Sequence, residues 1–353
     1  MKKKMKKAIS LALATMMSIR LLTACGSQNN TPSSNTSSGA ENDAGKKIEV
    51  KIAHAGTEDS LMHKAWVVAA DYMEANGNFE CNIYPNGTLG SDVDLAQAVQ
   101  GGDIQMSACS TSNLTSFNQD LEVFSLPFAF PNEETAYAVL DGDFGTKMLD
   151  SMENACGLKG LGYFESCTYR ELSSNKEVHT PADLKGMKVR VMQSNLHIAI
   201  WESLGAIPSA IAFGELYTAL SQGTVDAQDN PLELVISQKF YEVQKNCTIS
   251  NHAYLAYALL FSKSFWDTLP EDIQKIIDDA ATEAVQEERQ MTIDREAGYI
   301  ETIKASGCEV NELTADEIAA LTEVMKPVHE KYRDVIGSDT LDKAYEIIDK
   351  YNK

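Results

Sequence analysis

Arg170-Glu-Leu-Ser-Ser-Asn-Lys176, Pro181-Ala-Asp-Leu-Lys-Gly-Met-Lys-Val-Arg190-Val191, Phe213-Gly-Glu-Leu-Tyr-Thr-Ala-Leu220 and Val225-Asp-Ala-Gln-Asp-Asn230-Pro231 follow one another within a single stretch of the chain. Lys188 to Met192 alternates as a strand should after a glycine-containing turn, placing Lys188 and Arg190 on one face and Val189 and Val191 on the other. Spacing alone also permits an ordinary half-exposed strand with a basic, solvated face. A helix is expected from Leu196 to Leu204 with Gly205 as its stop, then a strand around Ala206 to Ala212. Glu215 to Gln222 reads as helix ended by Gly223, and Val225 to Asp229 as a strand that Pro231 cannot extend. Two arginines and an asparagine, each beside a turn or strand end, are groups suited to holding a carboxylate.

Upstream, Ile48 to His54 alternates as a first strand. Ser60 to Ala75 has helical spacing with Asn76-Gly77 as its C-cap, and Phe79 to Tyr84 is a second strand. Ser91 can cap a helix running to Gln100, and Ile104 to Ala108 is a third strand. Strand and helix in alternation imply crossover units and a parallel sheet. Ligands of such sheets bind beyond the carboxyl ends of the strands, which nominates His54 to Glu58 and Ser107 to Asn113. His54 reads equally as a satisfied strand-end histidine, and Ser110, Thr111 and Asn113 equally as turn formers. Glu133 to Cys156 is largely helical with a break near Gly142 to Gly145, and Leu158 to Glu165 is a strand leading towards Arg170. Downstream, Tyr254 to Ser262 reads as one fully buried strand. From Pro270 the chain is acidic and helical, punctuated by Gly307, Pro327 and Gly337. The fold class expected is α/β: two lobes, each a sheet flanked by helices, with more than one crossover between them.

The N-terminal segment carries five lysines, an apolar run from Ala8 to Leu22 and then Leu22-Thr-Ala-Cys25, the order of a lipoprotein signal whose lipidated cysteine is Cys25. Arg20 within the run fits this less well, and a plain signal peptide or membrane anchor is the alternative. Gly26 to Gly45 is rich in Ser, Asn, Thr and Gly and reads as a flexible tether. The expected organisation is a signal peptide over residues 1–24 and a tether over 25–45. The first lobe takes 46–167 plus about 256–297, and the second 168–255 plus about 298–353.

The formal net charge is −21, and loss of the leader's five lysines and Arg20 takes it to −27. Such a chain repels phosphate backbones, so nucleic acid is not an expected partner. No Cys-x-x-Cys pair, EF-hand loop or His-Glu-x-x-His occurs in the sequence, so no metal or cofactor is expected. Cys81, Cys109, Cys156, Cys167, Cys247 and Cys308 are compatible with disulfides or with buried thiols. No Gly-x-Ser-x-Gly or phosphate loop points to an enzyme.

In order and spacing, Tyr84-Pro-Asn-Gly-Thr-Leu-Gly90, Leu126-Pro-Phe128, the Pro181 to Arg190 and Phe213 to Leu220 segments, Val225 to Pro231 and Asn251-His252 resemble the solute-binding subunit of tripartite ATP-independent periplasmic (TRAP) transporters. The resemblance covers Ile48 to about Lys326. It implies that Arg190 forms a bidentate salt bridge with a ligand carboxylate and that Arg170 is a second carboxylate or hydroxyl contact. It further implies that Asn230 donates to the same carboxylate, that Phe213 packs over the ligand, and that a long helix near Asp272 to Ile303 runs across both lobes. His54, Glu58 and Asn113 are first-lobe candidates to meet the ligand on closure. Met192 stands where a proline is common, Ala227 where glycine is usual and Asp229 where glutamate is usual. The implied function is extracytoplasmic capture of a small organic acid without chemistry, a sugar acid such as a hexuronate before a C4-dicarboxylate. Delivery to the two TRAP membrane subunits by a lipid-anchored monomer follows. A lipoprotein enzyme acting on acidic sugars, or service to a sensor or an ATP-driven importer, are the competing readings.

Overall fold

The computed structural model describes residues 46–166 and 169–352. The leader, Cys25, the tether and Cys167 lie outside them. In chain order the first elements are β1 (Ile48–Ala53), α1 (Leu61–Asn76), β2 (Phe79–Tyr84), α2 (Asp92–Gly101), β3 (Met106–Ser110), α3 (Glu133–Leu140), α4 (Asp143–Cys156) and β4 (Leu158–Phe164). There follow β5 (Tyr169–Ser174), α5 (Pro181–Leu184), β6 (Lys188–Val191), α6 (Asn195–Ser203), β7 (Ile207–Ala210), α7 (Leu216–Ser221), β8 (Ala227–Asn230), α8 (Leu232–Ser237) and β9 (Asn246–Tyr254). The chain closes with β10 (Tyr257–Ser262), α9 (Lys263–Trp266), α10 (Glu271–Ala305), β11 (Glu309–Glu312), α11 (Ala315–Ile336) and α12 (Ser338–Tyr351). Local chemistry sets many boundaries. The Ser60 hydroxyl accepts from the His63 N–H to start α1, and Ser91 with Asp94 forms a capping box on α2. Gly102, at φ 84°, ends α2 in the left-handed region.

The first sheet has the order β2-β1-β3-β10-β4 and the second β11-β9-β5-β8-β6-β7. Helices flank both, and the two-lobed α/β architecture expected from the sequence is the one observed. The sheets are mixed, which corrects the expectation of parallel pairing. β10 runs antiparallel to β3 and β4, and β5 antiparallel to β8 and β9. The reason is that β10 and β5 enter their sheets by crossing from the other lobe, without the helical return that parallel neighbours need. The apolar run from Tyr254 to Ser262 is accordingly two strands. β9 ends at Tyr254 in one sheet and β10 begins at Tyr257 in the other. Apolar character was continuous across the break because both sheets are buried there, so hydropathy carried no mark of it.

The 35-residue α10 is the third passage between lobes. Ile277, Ala280, Ala281 and Ala284 pack into the first lobe's core, while Tyr299 and Ile303 pack into a core of the second. Pro327 lies inside α11 and does not end it, contrary to the sequence expectation. The buried stripe Leu321, Met325, Val328, Tyr332 and Ile336 holds that helix against α6 and the 3-10 turn Gln119–Ser125. α12 packs on α3. The five cysteines among the described residues, Cys81, Cys109, Cys156, Cys247 and Cys308, are unpaired thiols.

Candidate ligand-binding cleft

A pocket lined by residues of both lobes lies between the two sheets. From the second lobe it is lined by Arg190, Met192, Phe213, Asn230 and Leu234. From the first come Ala55, Gly56, Ser60, Met62, Asp92, Ser110, Asn113 and Tyr257, with Ser166 at the crossover.

Arg190 projects from β6, a strand paired in parallel with both β7 and β8. Its neighbour on the same strand face, Lys188, is exposed, whereas Arg190 is only 2 % exposed. Nε donates to the Ile211 carbonyl at 2.9 Å. Nη1 is buried with no hydrogen-bond partner, and Cζ lies 5.9 Å from the Phe213 ring centre. Burial, and then the charge of Arg170, lower its pKa to about 10, leaving a cation at neutral pH. A buried guanidinium with an open fork is a carboxylate receptor by geometry.

Arg170, on β5, is also fully buried but is not part of the cavity wall. Its Nε donates to Asp229 Oδ2 at 2.7 Å, its Nη2 to the Asp229 carbonyl, and its Nη1 approaches the Met192 sulfur at 3.5 Å. His252 Nε2 reaches the same Asp229 oxygen at 3.2 Å, and His252 Nδ1 meets Ser250 Oγ at 2.8 Å. Burial alone would lift the Asp229 carboxyl, but the charge of Arg170 and the bonds from His252 and Arg170 hold it well below the usual range. Asn230 follows directly and lines the cavity, its Nδ2 donating to Gln228 Oε1 at 2.5 Å.

In the first lobe, Asp92 sits at the start of α2. Its Oδ2 accepts from the Ser110 N–H at 3.0 Å and from Asn113 Nδ2 at 2.9 Å. Asn113 Oδ1 in turn accepts from the Gln193 N–H of the opposite lobe at 3.1 Å. Further bonds cross the cleft, among them Ser110 Oγ to the Met192 sulfur at 3.5 Å. Ser112 Oγ meets His197 Nε2 at 3.2 Å, and Glu233 Oε1 accepts from the Leu61 N–H at the start of α1 at 3.2 Å. Burial lifts the Glu233 carboxyl to about 7. At the crossover, Glu288 of α10 accepts from the backbone N–H groups of Glu165 and Ser166 at 3.3 and 2.7 Å. Tyr137 and Tyr254 donate to Glu165 at 3.0 and 2.8 Å. Burial raises Glu165 to about 7 and Glu288 to about 8.

Of the residues nominated from sequence, Arg190, Asn230, Phe213 and Asn113 meet at the cavity, while Arg170 lies behind it against Asp229. His54 is fully buried with Nε2 3.1 Å from His63 Nδ1, and burial pushes its pKa down to about 3. Glu58 is exposed; the wall on that side is built by Ala55, Gly56 and Ser60. Ser110, within the nominated Ser107 to Asn113 segment, also lines the cavity, whereas Asp92, Ser166 and Tyr257 were not singled out as contacts. Asp92 lies one residue past the Ser91 cap, and no local pattern places Ser166 or Tyr257 in a cleft, because each reaches it through a crossover.

Two α/β lobes meeting around a buried guanidinium whose Nη1 lacks a partner define a cleft-type solute-binding protein. Residues 52–334 match the family model for bacterial extracellular solute-binding protein, family 7 (DctP). The chain is 35% identical over 298 residues to the C4-dicarboxylate-binding periplasmic protein DctP of Rhodobacter capsulatus, spanning 83% of this chain and 89% of that one. The galactonate complex of the sugar acid binding protein DctPAm from Advenella mimigardefordensis superposes with a TM-score of 0.84 at 31% identity, covering 87% of this chain and 99% of that one. A TRAP periplasmic solute-binding protein of Shewanella oneidensis with bound succinate gives 0.82 at 30% identity, covering 86% and 100%. The chain belongs to the DctP family of TRAP solute-binding proteins.

Proposed function

We propose that this protein captures a small organic acid outside the cytoplasm and delivers it to the membrane subunits of a sodium-coupled TRAP permease. The observation that carries the reading is Arg190, buried in the cleft with Nη1 unpartnered. A buried cation without an anion is costly, and a ligand carboxylate removes that cost with two parallel charge-assisted hydrogen bonds. Asn230 and Phe213 stand beside it to orient and cover the bound acid. A sugar acid such as a hexuronate is the first candidate, since the cleft wall is rich in neutral hydroxyl and amide groups. A C4-dicarboxylate is the second, supported by the Rhodobacter capsulatus relative. The protein acts as a monomer held at the outer face of the membrane through lipidated Cys25, and it releases its ligand unchanged.

Isothermal titration with sugar acids, C4-dicarboxylates and keto acids tests the reading. One class should bind with a single site per chain, and recovery of the ligand unaltered is expected. Absence of heat with every acid would overturn it.

A further inference from the structure

Two charged side chains reach the cavity wall, one from each lobe. Arg170 and Asp229 neutralise each other behind the wall. Among the described residues that line the cavity, only Arg190 and Asp92 are charged. Arg190 presents its unpartnered Nη1, and Asp92 is 8 % exposed with both of its hydrogen bonds on Oδ2. Among the described residues, none donates a hydrogen bond to Asp92 Oδ1. Burial raises the Asp92 carboxyl above its ordinary value, against the pull of its bonds from Asn113 and Ser110 and of the Arg190 charge, while Asp92 in turn supports the charged form of Arg190. The cavity therefore has a cationic and an anionic pole, separated by uncharged groups: Ser60, Ser110, Asn113, Ser166, Asn230 and Tyr257. The Ser166 hydroxyl is buried without a partner.

We propose that Asp92 determines specificity, accepting a hydrogen bond at Oδ1 from a ligand hydroxyl and rejecting any ligand that brings a second carboxylate to that end. The inference rests on Arg190 being the carboxylate anchor. A hydroxyl donating to a carboxylate makes a short, charge-assisted bond. Two carboxylates facing each other in a closed cleft repel, and neither can donate unless one takes up a proton. Arg170 would be the group to neutralise a second carboxylate, but its guanidinium is committed to Asp229 and lies outside the wall. The class selected is a polyhydroxy monocarboxylate. Specificity here comes from a repulsive group as much as from an attractive one.

Galactonate and galactarate isolate the point, since they differ only in a carboxylate for the terminal hydroxymethyl group. Titration of the wild-type protein should give galactonate, or the best-bound monocarboxylate of its kind, at least about tenfold tighter than its dicarboxylate counterpart or succinate. Asp92→Asn keeps an oxygen for Ser110 and Asn113 while turning an amide N–H into the cavity. This variant should weaken the monocarboxylate and tighten the dicarboxylate, narrowing or inverting the ratio. Thermal melts establish that it is folded; if it is not, the wild-type ratio alone decides. A wild-type preference for the dicarboxylate, or an unchanged ratio in folded Asp92→Asn, overturns the proposal while leaving the Arg190 anchor intact. Failure of every acid to bind instead removes the anchor itself.

Discussion

Arg170 and Arg190 stand in the same sheet, both excluded from solvent, and their surroundings differ in one respect. Arg170 meets a carboxylate, a carbonyl and a thioether, all supplied by the protein. Arg190 meets one carbonyl through Nε, with a ring above it and Nη1 left without a partner. The first is an internal ion pair whose removal leaves an uncompensated charge. The second is an uncompensated charge already, held ready for an anion from outside. Burial is therefore not the mark of a structural arginine; the number of donors left unpaired is.

Substitutions can break this contrast. Arg190→Ala removes both charge-assisted bonds to the ligand, each about 1.5–3 kcal/mol, so calorimetry should show affinity falling by roughly two to four orders of magnitude. Its unliganded stability in a urea titration should hold or rise, since the lost group is an unpaired buried cation. Equal loss of stability in Arg190→Ala and Arg170→Ala would erase the distinction. Arg170→Ala strands Asp229 and should cost about 3–5 kcal/mol of stability.

The Asp229 carboxyl sharpens the same point through pH. Its pKa is depressed in the folded state, so its contribution is present above the unfolded value of about 3.9 and is lost only as pH falls through the lower folded value. Between pH 7 and 5 the pair should contribute undiminished. Asp229→Asn should show a weaker acid-unfolding limb below pH 4. The smallest effect is expected for Phe213→Ala, which removes the half-buried ring beside Arg190. It should reduce affinity by roughly 1–2 kcal/mol with little change in melting temperature.

Much of the fold was legible where local chemistry decides it. The Ser60 hydroxyl caps the start of α1 and Gly77 follows its last residue, the Ser91–Asp94 box starts α2, and the break between α3 and α4 falls at Gly142. Contacts between distant residues were not. Alternation put Lys188 and Arg190 on one face of β6, yet only the second is roofed by the turn carrying Phe213. The partner of Arg170 lies 59 residues away on an antiparallel strand, and nothing near either residue announces it. Asp92 follows the same rule: its helix-start position is visible locally, its exposure to the cleft only after β10 has crossed from the other sheet.

Those crossings have a thermodynamic consequence. The chain passes between the two sheets three times, through the β4–β5 link, the β9–β10 link and α10, and α12 then returns to pack on α3. Closure is thus a reaction between parts already held at high effective concentration. Two free lobes meeting around a ligand would forfeit about 4–15 kcal/mol of translational and rotational freedom, and here that loss was met when the chain folded. A molecule of a dozen or so heavy atoms can therefore govern the whole movement.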